Sequence, residues 1–178
     1  AIPAHILSSF LSQTNSKESV VRFEASAGNI LVSTTKSRAT IKTLPPEDFP
    51  TIPAVSGVEK SMSPTQMFVK GFKSVWYAAA VSNIKPELSS IYIYKDAETL
   101  TFVATDSFRL AEKKVPLTKG VHLEDMLIPF KNTIEIVRVL EAVGPQVGVS
   151  SNKNLVSFQA DGIHITSRII DGTFPDYR

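Results

Sequence analysis

Four cations sit at helical spacing in two apolar-periodic stretches. Lys70 and Lys73 share the polar side of a stretch whose apolar positions are Met67, Phe68, Gly71, Phe72, Val75, Ala78 and Ala79, with Gln66 and Tyr77 beside them. Lys131 and Arg138 lie one heptad apart on a second stretch, Phe130–Ala142, with Glu135 between them. Faces of this kind are either plain solvated helix surfaces or sequence-independent attractors for nucleic-acid phosphates. Charge alone leaves both readings open.

Bond-breaking chemistry finds little support. His5, His122 and His164 are far apart and lack metal-ligand spacing. His164 alternates with Ile163 and Ile165, which reads as a solvent-facing strand position. No phosphate-cradling glycine loop and no nucleophile elbow occurs. Glu47-Asp48 and Glu124-Asp125 are adjacent loop acids, a pattern of solvated charge rather than of an acid–base pair. With no cysteine, thiolate zinc, iron–sulfur clusters, disulfides and cysteine nucleophiles are excluded together. The expectation is a protein without catalysis, metal or cofactor. A hydrolase using Asp106 or Asp176 with His164 is the enzymatic alternative.

The elements that must position the cations follow from pattern. Ser63, Pro64 and Gln66 read as a capping box opening the first basic helix. Strand patterns follow at Ser89–Tyr94, Thr99–Ala104 and Arg109–Val115, with room for a short strand at Met126–Ile128 before the second helix. Three more strands run to about Ile170, and Asp161-Gly162 is a hairpin signal between the last two. The fold class is α+β with antiparallel sheets.

This arrangement repeats. Ile128-Pro129 stands 126 positions after Ile2-Pro3, and Phe174-Pro175 stands 125 after Phe49-Pro50. Between those marks each copy carries a helix and three strands: Pro3–Gln13 then VVRFE, NILVST and RATIK in one, Phe130–Ala142 then VGVSS, NLVSFQ and HITSR in the other. One full unit is therefore about 125 residues, and each helix with its strands looks like a half-unit. Residues 1–53 read as the later part of a first copy and residues 63–178 as a nearly complete second. The proline-rich stretch 54–62 reads as a linker.

The bulk numbers agree without deciding anything. The chain has 178 residues, 43% hydrophobic and 20% charged, enough for a core. It has no initiator Met and reads as a piece of a longer protein. No apolar run nears the roughly 20 residues of a membrane span, and no signal peptide opens the chain, so a cytoplasmic setting without a membrane is expected. The formal net charge of +2 is too small to announce a nucleic-acid partner.

Three segments carry more. VATDSFRLAEKKV at Val103–Val115, DGTFPDYR at Asp171–Arg178 and LPPEDFP at Leu44–Pro50 resemble the bacterial DNA polymerase sliding clamps, the beta subunits of replicative polymerases. The resemblance spans essentially the whole chain, covering the later part of the family's first domain and most of its second, with the third absent. It implies a DNA-clamp fold of repeated β-α-β-β-β half-units, two chains closing head to tail into a ring. Sheets form the outer wall and helices line the inner surface around sequence-independent double-stranded DNA. The DNA-facing residues would be Lys70, Lys73, Lys131 and Arg138, with Lys85 from the loop Ser82–Glu87. Neutralising ~4 phosphates would weaken binding roughly 100-fold between 50 and 200 mM salt.

The resemblance further implies a pocket for short peptide motifs of the polymerase catalytic subunit, the clamp loader and repair polymerases. By motif match its wall would be Leu88, Thr105, Ser107, Phe108, Arg109, Leu110 and Pro175. Ser107 stands where many members have Gly, Phe108 where His is common, and Thr173 where a basic residue is frequent; the first two retune the pocket. Read as residues alone, Leu88, Leu110 and Phe174 can equally be core, and Asp106 can serve as a local turn cap. The non-DNA alternative is a β-rich peptide-binding adaptor.

Overall fold

The computed structural model describes residues 1–14, 20–49, 51, 55, 60–82, 84–117, 121 and 123–178. The chain divides into two compact units, Ala1–Ile52 and Pro53–Arg178. Pro50 and His122 of the sequence reading, one position of the loop Ser82–Glu87 and most of the stretch expected as linker lie outside the described residues.

In the first unit, helix α1 (Ala4–Ser12) precedes strands β1 (Arg22–Ser26), β2 (Asn29–Ser33) and β3 (Arg38–Lys42), which form one antiparallel sheet in that order. Ala27 and Gly28 turn the first hairpin with φ of 44° and 74°, the left-handed pair that a two-residue hairpin needs. Val32 and Ile41 are its buried centre.

The second unit consists of two half-units that exchange strands. Strand β4 (Ser61–Pro64) leads into helix α2 (Thr65–Val75) and strands β5 (Ser90–Asp96), β6 (Thr99–Thr105) and β7 (Leu110–Pro116). Strand β8 (Met126–Pro129) leads into helix α3 (Phe130–Leu140) and strands β9 (Gln146–Ser151), β10 (Leu155–Ala160) and β11 (Ile163–Arg168). Both sheets are antiparallel, in the orders β7-β6-β5-β8 and β11-β10-β9-β4. Each half-unit thus gives its first strand to the other's sheet.

Strand β4 corrects two expectations. Ser61 and Met62 are sheet residues rather than linker. Ser63 is no N-cap: it pairs with Val147 and faces inward, its Oγ without a hydrogen-bond partner among the described residues. The cap position belongs to Pro64, extended at ψ 124°, and Pro3 and Pro129 hold the same place before α1 and α3. A residue preceding proline is pushed out of the helical region, so a strand can run directly into a helix there.

None of the three prolines offers a side-chain cap, so the first amides of α2 and α3 must find other acceptors. They find them across the unit. Thr65 N donates to Pro145 O at 2.9 Å, just before β9, and Phe130 N donates to Ser89 O at 3.0 Å, just before β5. The pairing of half-units thereby also caps their helices.

Helix α2 supplies the centre of the core. Phe68 meets Phe158 of β10 edge-on at 5.2 Å, and Phe72 meets Phe102 of β6 edge-on at 5.3 Å, so one helix seals both sheets. Gly71 permits this, because a Cβ there would lie 2.4 Å from the Phe102 ring. Ile136, Val137 and Leu140 of α3 complete the same cluster. Ala78 and Ala79 are buried as expected, beyond the α-helix, in and after a 3-10 turn at Trp76–Ala78.

Candidate nucleic-acid interface and peptide pocket

Burying the apolar sides of α2 and α3 in one core turns their polar sides outward together. Gln66, Lys70, Lys73 and Tyr77 are exposed after and along α2; Lys131, Asn132, Glu135 and Arg138 are exposed on α3. The two surfaces are joined by an ion pair, Lys73 Nζ to Glu141 Oε1 at 2.5 Å. Arg138 pairs within its own helix with Glu135, at 2.8 Å. Lys70 and Lys131 have no acidic partner among the described residues. Lys85 is exposed in the loop after the 3-10 turn, its carbonyl accepting the amides of Leu88 and Ser89.

One of these positions works against its helix. Lys131 is the second residue of α3, at the positive end of the macrodipole, where a cation is disfavoured by some tenths of a kcal/mol. Local helix stability therefore does not account for Lys131.

The turn between β6 and β7 is built by two side chains. Asp106 Oδ1 accepts the amides of Phe108 and Arg109, each at 3.0 Å, and Asp106 Oδ2 accepts from Arg109 Nε at 3.0 Å. Those two backbone amides, helped by the guanidinium, hold the Asp106 carboxyl below its ordinary range. Thr105 Oγ1 donates to Arg109 O at 2.7 Å and accepts the Ser107 amide at 3.1 Å. Ser107 takes φ 76°, a left-handed conformation that costs an L-residue about 1–2 kcal/mol. Glycine is at ease at such a position. At the tip Phe108 is 97% exposed, and Leu110 is 47% exposed.

Leu88, 7% exposed, is a packing residue here. Pro175 lines a depression of about 310 Å³ with Tyr92, Tyr94, Phe174, Tyr177 and Arg178. Phe174 belongs to a small second cluster with Tyr94, Val103 and Leu127, stacked on Tyr92 at 5.1 Å. The segment is anchored by a relay in which Arg178 donates to Tyr94 OH, the Tyr94 and Tyr177 hydroxyls meet at 2.8 Å, and Tyr177 OH donates to Glu112 Oε2 at 2.6 Å. Glu112 is two residues along β7 from Leu110, so the segment bearing Pro175 is tied to the sheet face that presents Leu110.

Sequence reading missed the relay and the role of Glu141. The relay joins residues more than 60 positions apart, and no spacing rule reports that. Glu141 carried a local signal, an acid at a helix C-terminus where the macrodipole disfavours it. Among the described residues no cluster of His and acidic groups could hold a metal, and no helix is long and apolar enough to cross a membrane. His164 is exposed on β11, as its alternation predicted, with Nε2 2.6 Å from Ser157 Oγ.

Residues 63–176 match the family model of the DNA polymerase III beta subunit, central domain. The beta sliding clamp of Caulobacter vibrioides is 26% identical over 181 residues, covering 98% of this chain and 49% of that protein. That of Escherichia coli K12 is 27% identical over 149 residues, covering 84% and 41%. Among solved structures, Caulobacter crescentus pol III beta aligns with a TM-score of 0.88 at 26% identity, over 99% of this chain and 49% of that one. The DNA polymerase III subunit beta of Pseudomonas aeruginosa aligns with a TM-score of 0.85 at 25% identity, over 99% and 48%. The chain spans less than half the length of these relatives.

Proposed function

The chain belongs to the DNA polymerase III beta subunit family, and from that premise we propose that it serves in a sliding clamp that encircles duplex DNA and tethers a polymerase. In this reading residues 1–53 belong to a first clamp domain. The second clamp domain begins at the strand Ser61–Pro64, two residues before the boundary that pattern suggests. The protein performs no bond chemistry; it acts by holding.

The observation that carries the proposal is the shared outward face of α2 and α3. Lys70, Lys73, Lys131 and Arg138 attract phosphates without reading bases, which suits a protein that must slide. Contacts this few are weak, so retention on DNA comes from closing a head-to-tail ring of two chains rather than from affinity. Lys85 adds a phosphate contact from its loop.

Partners dock on the opposite kind of surface. Phe108, Leu110 and Pro175 offer apolar walls, with Arg109 at the rim and Thr105, Ser107 and Leu88 supporting the shape, a chemistry suited to a short apolar peptide anchor. The peptides are those of the polymerase catalytic subunit, the clamp loader and repair polymerases, in a bacterial cytoplasm. Calorimetry with a polymerase tail peptide tests this directly: Arg109→Ala with Leu110→Ala should weaken binding at least tenfold, and an unchanged affinity overturns the pocket assignment.

A further inference from the structure

We infer that Glu135 and Glu141 set how strongly the α2/α3 face takes hold of duplex DNA, by keeping Arg138 and Lys73 in ion pairs that a phosphate must displace. The inference rests on the duplex-binding reading of that face.

Four cations point outward from the two helices, yet only Lys70 and Lys131 are without an acidic partner among the described residues. Lys73 is held by Glu141 at 2.5 Å and Arg138 by Glu135 at 2.8 Å. Both pairs are solvent-accessible, with side chains 45–46% exposed in the first and 63–71% in the second. Exposed pairs of this kind add little to stability. Neither contributes much to folding, and Glu141 opposes its own helix by placing a negative charge at the C-cap of α3. The carboxylates therefore do little for the elements that carry them. Their effect falls on the surface: they lower the potential that a phosphate backbone meets and occupy the two cations that would otherwise bind it.

The consequence is countable. Each phosphate neutralised on duplex DNA adds about 0.9 to the slope of log K against log salt. Two free cations give a slope of about −1.8, a roughly 10-fold loss between 50 and 200 mM salt. Four free cations give about −3.6, a roughly 100-fold loss. A clamp face at the lower figure holds DNA more loosely and responds less steeply to ionic strength than one at the higher.

The test is an NMR titration of the isotope-labelled 178-residue chain with a 12-base-pair duplex at 25 to 200 mM salt, which reads affinities into the millimolar range. Three proteins are compared: the unaltered chain, Glu135→Gln with Glu141→Gln, and Lys70→Ala with Lys131→Ala. All the changes are at exposed positions, and thermal melting checks that each fold is kept. The double Gln variant should bind several-fold tighter at 25 mM salt and roughly double the slope, whereas the double Ala variant should lose measurable binding. If the double Gln variant matches the unaltered chain in affinity and slope while the double Ala variant still loses binding, the carboxylate inference fails and the duplex reading stands. If no amide of α2 or α3 shifts for any of the three, the duplex reading itself fails and takes the inference with it.

Discussion

The two sheets of the second unit have the same strand order and pack on the same core, yet their outer faces are finished in opposite ways. On the sheet β7-β6-β5-β8 the outward residues Tyr94, Val103 and Leu127 are apolar and are covered by the segment ending in Phe174, Tyr177 and Arg178. On the sheet β11-β10-β9-β4 the outward row is mostly polar and, among the described residues, carries no such aromatic strap: Ser157 meets His164, and the Lys60 stem crosses Gly148 to reach Gln159 at 2.7 Å. Topology and inner packing are thus indifferent to what the outer face does. The strapped face carries Pro175 and presents Leu110, so the added layer lies where a peptide wall is proposed.

If the strap is held by burial, truncating its anchor is the most damaging change to this face. Phe174 is 9% exposed, and Phe174→Ala should cost about 3 kcal/mol in urea unfolding. A loss below about 1 kcal/mol would mean that the sheet face is stable uncovered, and the contrast between the two sheets would lose its meaning.

Alkaline pH should act on the same face more gently. Burial first, and then its hydrogen bond to Asp125 at 3.0 Å, raise the Tyr92 hydroxyl to about 12, and burial with the Glu112 bond raises that of Tyr177 as well. A folded-state value above the unfolded value of about 10 means that the neutral phenol is favoured by folding. That stability is complete below pH 10 and is lost as pH rises through 12. Urea midpoints should therefore fall between pH 10 and 12, with tyrosinate absorbance rising later than in the unfolded chain; Tyr92 and Tyr177 titrating near 10 would contradict their bonds to Asp125 and Glu112.

The polar sheet face sets the lower limit. Ser157→Ala removes the 2.6 Å contact with His164, but His164 is exposed and takes water instead, so the cost should stay within about 1 kcal/mol. A cost approaching that of Phe174→Ala would show that the polar face is as structural as the strapped one.

Much of this was readable from local pattern. The helical faces, the strands and the Asp161-Gly162 turn, seen with φ of 48° and 77°, are each set by a few neighbouring residues. The repeat was readable because it recurs in order along the chain. The cap of α2 was misread for an instructive reason. Ser63-Pro64-Thr65-Gln66 has the composition of a capping box, but the pairing of Ser63 with Val147 holds it in a strand, and that partner is 84 positions away. Lys70, Lys73, Lys131 and Arg138 were legible as a set, and Glu135 stands at local spacing from Arg138; that Lys73 is occupied was not legible, since Glu141 meets it only across the helix pair.

By itself, the sequence determined the element types other than β4, the repeat, the family and the outward placement of the cations, because periodicity and turn chemistry act over a handful of residues. Tertiary structure alone decided which sheet each leading strand joins, which carbonyls cap α2 and α3, which outer face is strapped, and that Lys73 is tied to Glu141. Those outcomes depend on hydrogen bonds and ion pairs between residues remote in the chain, whose geometry exists only once the two half-units have closed on one core.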